Sequence, residues 1–287
     1  MPSSRRAKNS VDSAEIVPLS SLQLRWEVSA RSLSLCDGAV YESTCGDIPS
    51  VLYKGSNGQH SNFIPASYRR ICASPEWSRR LKKHYSGSSR LAWPHERIRR
   101  ELDCANSSDA LLMNVFCYPG VTSRKSMCAL LNLEPGLRPQ FGVRPGLPII
   151  GRDVDRTEID MSLGRLFVEA KLTESGFQTT RRELLFRYRD VADVFDTDHL
   201  PTSRAGYRCY QLIRGVLAAH HCGKSFLVLS DARRTDLIEA WFVILRAVRS
   251  CELRSILALL TWQELASVLP KSLQRFLSEK YGIYPHP

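Results

Sequence analysis

Apolar and polar positions change their rhythm along the chain near residue 155. Beyond it, segments 156–162 and 165–172 alternate apolar with polar residues and read as two strands. Residues 204–221 read as a helix. The run SFLVLS at 225–230 is almost wholly apolar, the pattern of a strand covered on both faces. Residues 234–249 place Leu237, Trp241, Ile244 and Val248 at steps of four, three and four, which is one face of a helix. SILALL at 255–260 reads as a further buried strand, and 262–268 and 271–281 as short closing helices. Strand, strand, helix, strand, helix, strand predicts an α/β sandwich.

The first half is less regular. Residues 1–20 are polar and charged and read as a flexible basic tail. Residues 21–60 mix short apolar runs with Gly, Ser and Asp, including Ser56-Asn57-Gly58, and no element is assigned there. Residues 65–85 predict a helix with Tyr68, Ile71, Trp77 and Leu81 toward a core. Arg79, Arg80, Lys82 and Lys83 form its basic face, either solvated or set against phosphate. Two helical segments are expected over 94–117. Pro94 suits a helix start, and Ser107 or Ser108 caps the second segment at 107–117. Tyr118-Pro119-Gly120 ends it. Four prolines and three glycines make 134–149 a loop or irregular strand. The expected organisation is a tail (1–20), a partly helical N-terminal extension (21–93) and a core (94–287).

Composition narrows the class. With 43% hydrophobic and 24% charged residues over 287 positions, the chain can bury a sizeable core. No apolar run approaches the ~20 residues of a membrane span. The first twenty residues lack the apolar stretch of a secretory signal, so a cytoplasmic protein is expected. A net charge of +11, mostly from arginine, points to a polyanionic partner, because the guanidinium fork matches phosphate oxygens. The nine cysteines form no Cys-x-x-Cys pair and read as free thiols. Adjacent His220, His221 and Cys222 point in different directions on a helix and cannot share one ion.

The candidate chemistry lies in TEIDMSLGRLFVEAK, Thr157 to Lys171. Ile159 and Met161 fall on one face of the first strand. Leu166, Val168, Ala170 and Leu172 fall on one face of the second. Bringing both rows into one core requires an even loop around Leu163-Gly164. Four residues suit it better than two, because leucine resists positive φ. Asp160 then lies opposite Phe167, and Glu169 and Lys171 follow on the same face. Asp160 and Glu169 become diagonal neighbours about 7–8 Å apart. Two carboxylates so placed call for a hard divalent ion, Mg²⁺ first and Mn²⁺ as alternative. Lys171 beside them would stabilise a hydroxide or a phosphate in flight, which suits phosphodiester hydrolysis.

These residues resemble the D-(x)n-E-x-K core of the PD-(D/E)XK nuclease superfamily. More narrowly, the chain is similar to a group of bacterial restriction endonucleases assigned from sequence. The matching positions are Ser107, Ser108, Leu111, Asn114 and Phe116; Thr157 and Asp160; Glu169, Lys171 and Glu174; and Tyr210, Gln211 and Leu212, over roughly residues 95–262. The resemblance implies an αβββαβ restriction-endonuclease-like core, a mixed sheet flanked by helices. It also implies a Mg²⁺-dependent deoxyribonuclease acting on DNA in restriction or defence. Alternatives are a DNA repair or recombination nuclease, and a non-catalytic DNA-binding module on the same fold. A homodimer would bring two sites to the two strands of a duplex. Asp160 and Glu169 are the implied metal ligands. The superfamily often adds a glutamate from the first core helix, for which Glu101 is the candidate and Glu96 the alternative. Gln211, Arg214, Arg181 and Arg182 are candidate nucleic-acid contacts, with Arg187 and Arg189 nearby. The chain departs from the pattern at Ile159, where the superfamily's proline stands, and at Asp109, where the group has an amide.

Overall fold

The computed structural model of the protein describes residues 16–35, 40–44, 48–53, 55, 58–84, 100–151 and 153–286. Helix α1 (Ser21–Leu35) and the hairpin β1 (Val40–Thr44) with β2 (Ile48–Leu52) lead into helices α2 (Pro65–Ala73) and α3 (Ser108–Phe116). Three antiparallel strands follow: β3 (Gln140–Val143), β4 (Ile159–Leu163) and β5 (Leu166–Ala170). Helix α4 (Tyr210–Cys222) then leads to β6 (Ser225–Ser230), and helix α5 (Thr235–Ala247) to β7 (Leu257–Thr261). Both β6 and β7 join the sheet in parallel, giving the order β7-β6-β5-β4-β3. The run α3-β3-β4-β5-α4-β6 is the αβββαβ core, a mixed sheet flanked by helices. Helices α6 (Trp262–Ser267) and α7 (Lys271–Tyr281) close the chain.

Two apolar layers sandwich the sheet. On one face, Met161, Val168, Leu227 and Leu229 pack with Leu111 and Val115 of α3, Trp262 of α6 and Leu273 of α7. Leu24 and Val28 of α1 enter this same layer. On the other face, Phe167, Phe226 and Val228 meet Leu212 and Val216 of α4 and Trp241 and Ile244 of α5. The alternation of β6 between the two layers explains why its sequence is apolar throughout.

Helix α4 sits close to β6 because position 215 has no side chain. A Cβ at Gly215 would lie 2.2 Å from Cζ of Phe226, itself fully buried with its ring centroid 6.0 Å from that of Trp241. The ring has nowhere to swing. Gly215→Ala should therefore cost about 1–3 kcal/mol from overpacking, offset by up to about 1 kcal/mol of helix propensity. The check is a lowered denaturation midpoint, and an unchanged or higher one would refute the close approach.

Several elements differ from the sequence expectation. The helix expected over 65–85 breaks at Ser74, whose backbone is extended because Pro75 follows, and resumes as the short helix Pro75–Ser78 and a 3-10 turn over Arg79–Lys82. The expected helix 204–221 begins only at Tyr210. A small hairpin, Thr202–Ser203 with Gly206–Arg208, precedes it and pairs with Thr179–Thr180. Gly206 permits that pairing: its φ is +123°, and a Cβ would lie 2.1 Å from the carbonyl oxygen of Thr180. Among the described residues from 100 to the start of α3 there is one 3-10 turn, Glu101–Asp103. Pro94, Glu96, Ser56, Asn57 and most of the tail lie outside the described residues. α1 occupies a stretch to which the sequence assigned no element.

The β4–β5 loop also differs. It has two residues, Gly164 and Arg165, with Leu163 facing Leu166. Gly164 alone takes positive φ (59°), so leucine is spared the strain that argued for four residues. Met161 pairs with Val168, which keeps the expected parity. Ile159, however, packs in the layer opposite to Met161. The β4–β5 ladder runs only over residues 161–163, and Ile159 turns with its β3 partner Val143, which packs in that layer too.

Candidate active site

The site forms where β4 and β5 part company. The last ladder pair is Met161 with Val168, so the next positions in that register are Asp160 and Glu169, in place of the expected Asp160 and Phe167. The ladder stops there, and Oδ2 of Asp160 accepts the Ala170 N–H at 2.8 Å in place of a strand carbonyl. A carboxylate thus satisfies a backbone donor that the opening strands leave free.

Lys171 completes the group. Its main chain is fixed on both sides: its N–H donates to the Leu229 carbonyl at 2.8 Å, and its own carbonyl accepts from Nε1 of Trp262 at 2.8 Å. Its Nζ donates to Oε1 of Glu169 at 2.7 Å and lies 5.7 Å from the centre of the Phe177 ring. Glu169 and Lys171 are both buried. Glu174 turns back to accept the Leu172 N–H at 2.6 Å and the Ser108 hydroxyl at 2.5 Å, which ties the end of β5 to the start of α3.

The electrostatics are uneven. Burial, Glu169 and Asp109 together push the Asp160 carboxyl well above the usual range, against Lys171 and the Ala170 N–H. Burial disfavours charge on Lys171, but Glu169, Glu174 and Asp160 outweigh it and raise the ammonium above the ordinary lysine value. The lysine therefore favours its charged form, while charge on Asp160 is disfavoured first by burial and then by its acidic neighbours.

The structure brings Asp160, Glu169 and Lys171 together and leaves Glu101 further out. Glu101 sits on the turn before α3, not on the core helix, and its Oε2 meets Nζ of Lys83 at 3.1 Å. The carboxylate that α3 delivers beside Asp160 is Asp109, in the helix's first turn. Oδ2 of Asp109 accepts from Arg80 Nη2 and Lys83 Nζ, both at 2.8 Å. Burial opposes ionisation of Asp109, but the two cations more than offset it and hold its carboxyl below the usual value. The sequence reading treated Asp109 only as a departure from a motif. Its position in the first turn of a capped helix, ahead of a strand carrying Asp160, is the available signal.

The basic candidates separate as well. Arg79 and Lys82 face solvent, whereas Arg80 and Lys83 turn inward, Arg80 also bonding Glu158 at 2.9 Å. Arg214 is buried, and its Nη2 donates to the backbone carbonyl of Glu158 at 3.0 Å, so it orders the strand leading to Asp160. Gln211 is half-buried in the first turn of α4, and its N–H donates to the Phe177 carbonyl at 3.0 Å. Arg181 is exposed. Arg182 is exposed too, stacks 4.6 Å over the Phe186 ring and donates to the Tyr207 hydroxyl at 3.1 Å.

Among the described residues, no group of three or more His, Cys, Asp or Glu side chains converges as a ready-made metal cage. That still fits Mg²⁺, which keeps several waters and takes one or two carboxylates plus substrate phosphate oxygens. Asp160 and Glu169 would offer two hard oxygen ligands where burial and neighbouring carboxylates disfavour charge on Asp160.

A mixed sheet opened at two neighbouring carboxylates, flanked by helices and followed by a buried lysine, is a restriction-endonuclease-like arrangement. The chain belongs to the family described as restriction endonuclease associating with ARP, whose model matches residues 34–282. No curated protein and no solved structure matches it. No helix among the described residues is long and apolar enough to cross a membrane.

Proposed function

We propose that the protein is a metal-dependent DNA endonuclease of the PD-(D/E)XK type, with Asp160 and Glu169 as metal ligands and Lys171 as the catalytic cation. The carrying observation is half-buried Asp160 and buried Glu169 at the end of the β4–β5 ladder, with the Lys171 ammonium 2.7 Å from Glu169. Bound there, Mg²⁺ or Mn²⁺ would lower the pKa of a water and neutralise charge on the scissile phosphate. Lys171 cannot serve as the base, because its neighbours hold it protonated. It donates, either to the attacking oxygen or to a non-bridging phosphate oxygen, where charge accumulates in the transition state. In this reading Asp109 takes the role expected of Glu101, and Arg181 and Arg182, both exposed, are the candidate contacts to the DNA backbone. The family description supports a role in restriction of foreign DNA.

The test is incubation of the protein with supercoiled plasmid in Mg²⁺, in Mn²⁺ and in EDTA. Nicked or linear product with an ion and none in EDTA is expected. Undiminished cutting in EDTA would remove the metal. Salt-sensitive binding without cleavage in either ion would favour the non-catalytic DNA-binding module.

A further inference from the structure

Within a short chain reach of the candidate active site lies an open pocket of about 380 Å³ that the hydrolytic chemistry does not use. It opens at the N-terminal end of α4, where Tyr210 lines it and the next residue, Gln211, contacts the active-site side through Phe177. Asp155 forms part of its lining and precedes Asp160 by five residues, so the two lie within roughly 18 Å along the chain. Pocket and carboxylate pair therefore fall within a few nucleotides of each other on one bound strand.

The lining is chemically mixed in an ordered way. Ile149, Leu184 and the rings of Tyr188 and Tyr210 give apolar and aromatic walls. Leu184 and Val154, 45% and 38% exposed, and the adjacent Ile150, 70% exposed, give the pocket an apolar rim. Asp155 is a fixed acceptor. Its Oδ2 takes the Tyr188 hydroxyl at 2.6 Å, and its Oδ1 takes the Thr157 N–H at 2.9 Å and the Thr157 hydroxyl. Tyr210 in turn donates to Tyr188 at 2.6 Å, since the Tyr188 proton points at Asp155. A carboxylate has about four lone-pair sites, so Asp155 can accept one more donor. Arg156 and Arg187, both exposed, line the pocket with no ion-pair or hydrogen-bond partner for either guanidinium among the described residues.

We infer that this pocket receives one unstacked nucleotide of the bound DNA, the base against Tyr188, Tyr210 and Leu184 and its phosphate on Arg156 or Arg187. Aromatic and aliphatic walls suit a planar base. Two unpaired guanidinium groups at the mouth suit its phosphate. Asp155, an acceptor with a lone pair to spare, suits an exocyclic amino group, which adenine, cytosine and guanine carry and thymine lacks, so those three should be preferred to thymine. The inference rests on DNA being the substrate, but nucleotide binding can be measured without cleavage.

The experiment titrates the full-length protein in EDTA with deoxyadenosine 5′-monophosphate, thymidine 5′-monophosphate and deoxyribose 5-phosphate, by calorimetry or chemical-shift perturbation. The adenine nucleotide should bind about tenfold more tightly than the sugar phosphate, with the thymine nucleotide between them. Leu184→Trp, at an exposed position, should block the base and erase that difference, while Arg187→Ala should weaken all three ligands together. A duplex with one bulged adenosine should likewise bind more tightly than its fully paired counterpart, and Leu184→Trp should remove that preference. Equal binding of nucleotide and sugar phosphate, an unaffected folded Leu184→Trp protein, or equal binding of the two duplexes would each overturn the inference. A flat nucleotide titration beside intact plasmid cleavage removes the pocket alone. Base-dependent binding beside a plasmid that no ion cuts removes the nuclease reading instead.

Discussion

Asp160→Asn is expected to lower metal-dependent cleavage by on the order of a hundredfold to a thousandfold, yet leave the metal-free protein as stable as the natural chain or more so. The loss of activity follows from replacing an anionic ligand with a neutral one. The stability effect follows from the surroundings. Asp160 is pushed above its ordinary value of 3.8 by burial, Glu169 and Asp109. A group whose folded value is raised contributes fully below its unfolded value and loses that contribution as pH rises through the folded one. The metal-free natural chain should therefore lose ground to Asp160→Asn as pH climbs from about 4. The amide oxygen of asparagine can still accept the Ala170 N–H, so the strand opening is preserved. Adding Mg²⁺ should reverse the order, raising the midpoint of the natural chain and barely moving the variant. Denaturation midpoints of both proteins from pH 5 to 8, with EDTA and with Mg²⁺, decide it. A variant less stable than the natural chain throughout in EDTA, or one that cuts plasmid normally, would contradict the assignment.

The reason for that chemistry was partly readable in the chain. Alternation placed Asp160, Glu169 and Lys171 on one side of a strand pair, and parity survives any even loop. Loop length did not follow, because Leu163 beside Gly164 looks like a turn residue in sequence; in the fold it is the last residue of β4, and Gly164 alone supplies the positive φ. The helix α1 was hidden for a different reason. Leu22, Leu24, Trp26 and Val28 alternate as a strand would, and packing against β2 and α7 decides in favour of helix. Inward-turned Arg80 and Lys83 were also illegible. They sit among other basic residues, and only the position of Asp109 and Glu158 in space selects these two from the run. What the sequence carries well is local periodicity. What it carries poorly is which of several equivalent charges finds a buried partner.

Lys171→Met should shift stability the opposite way, and that contrast separates the two roles. Methionine has the volume to fill the space but leaves Glu169 buried without its 2.7 Å partner. Breaking a buried ion pair from one side costs about 3–5 kcal/mol, because the remaining charge is uncompensated. Part of this should return on adding Mg²⁺, which gives Glu169 another cation, so the variant's midpoint should respond to the ion more steeply than the natural chain's. Cleavage should stay lost in both conditions, since no donor remains to stabilise the attacking or phosphate oxygen. A second substitution sharpens the argument. Glu169→Gln with Lys171→Met removes both charges, and a neutral buried pair should recover most of the stability while cleavage remains absent. Denaturation midpoints and plasmid cleavage for the single and double variants read this out. If Lys171→Met were as stable as the natural chain in EDTA, the ammonium would not be neutralising Glu169. If it cut DNA, the lysine would not be acting on the phosphate.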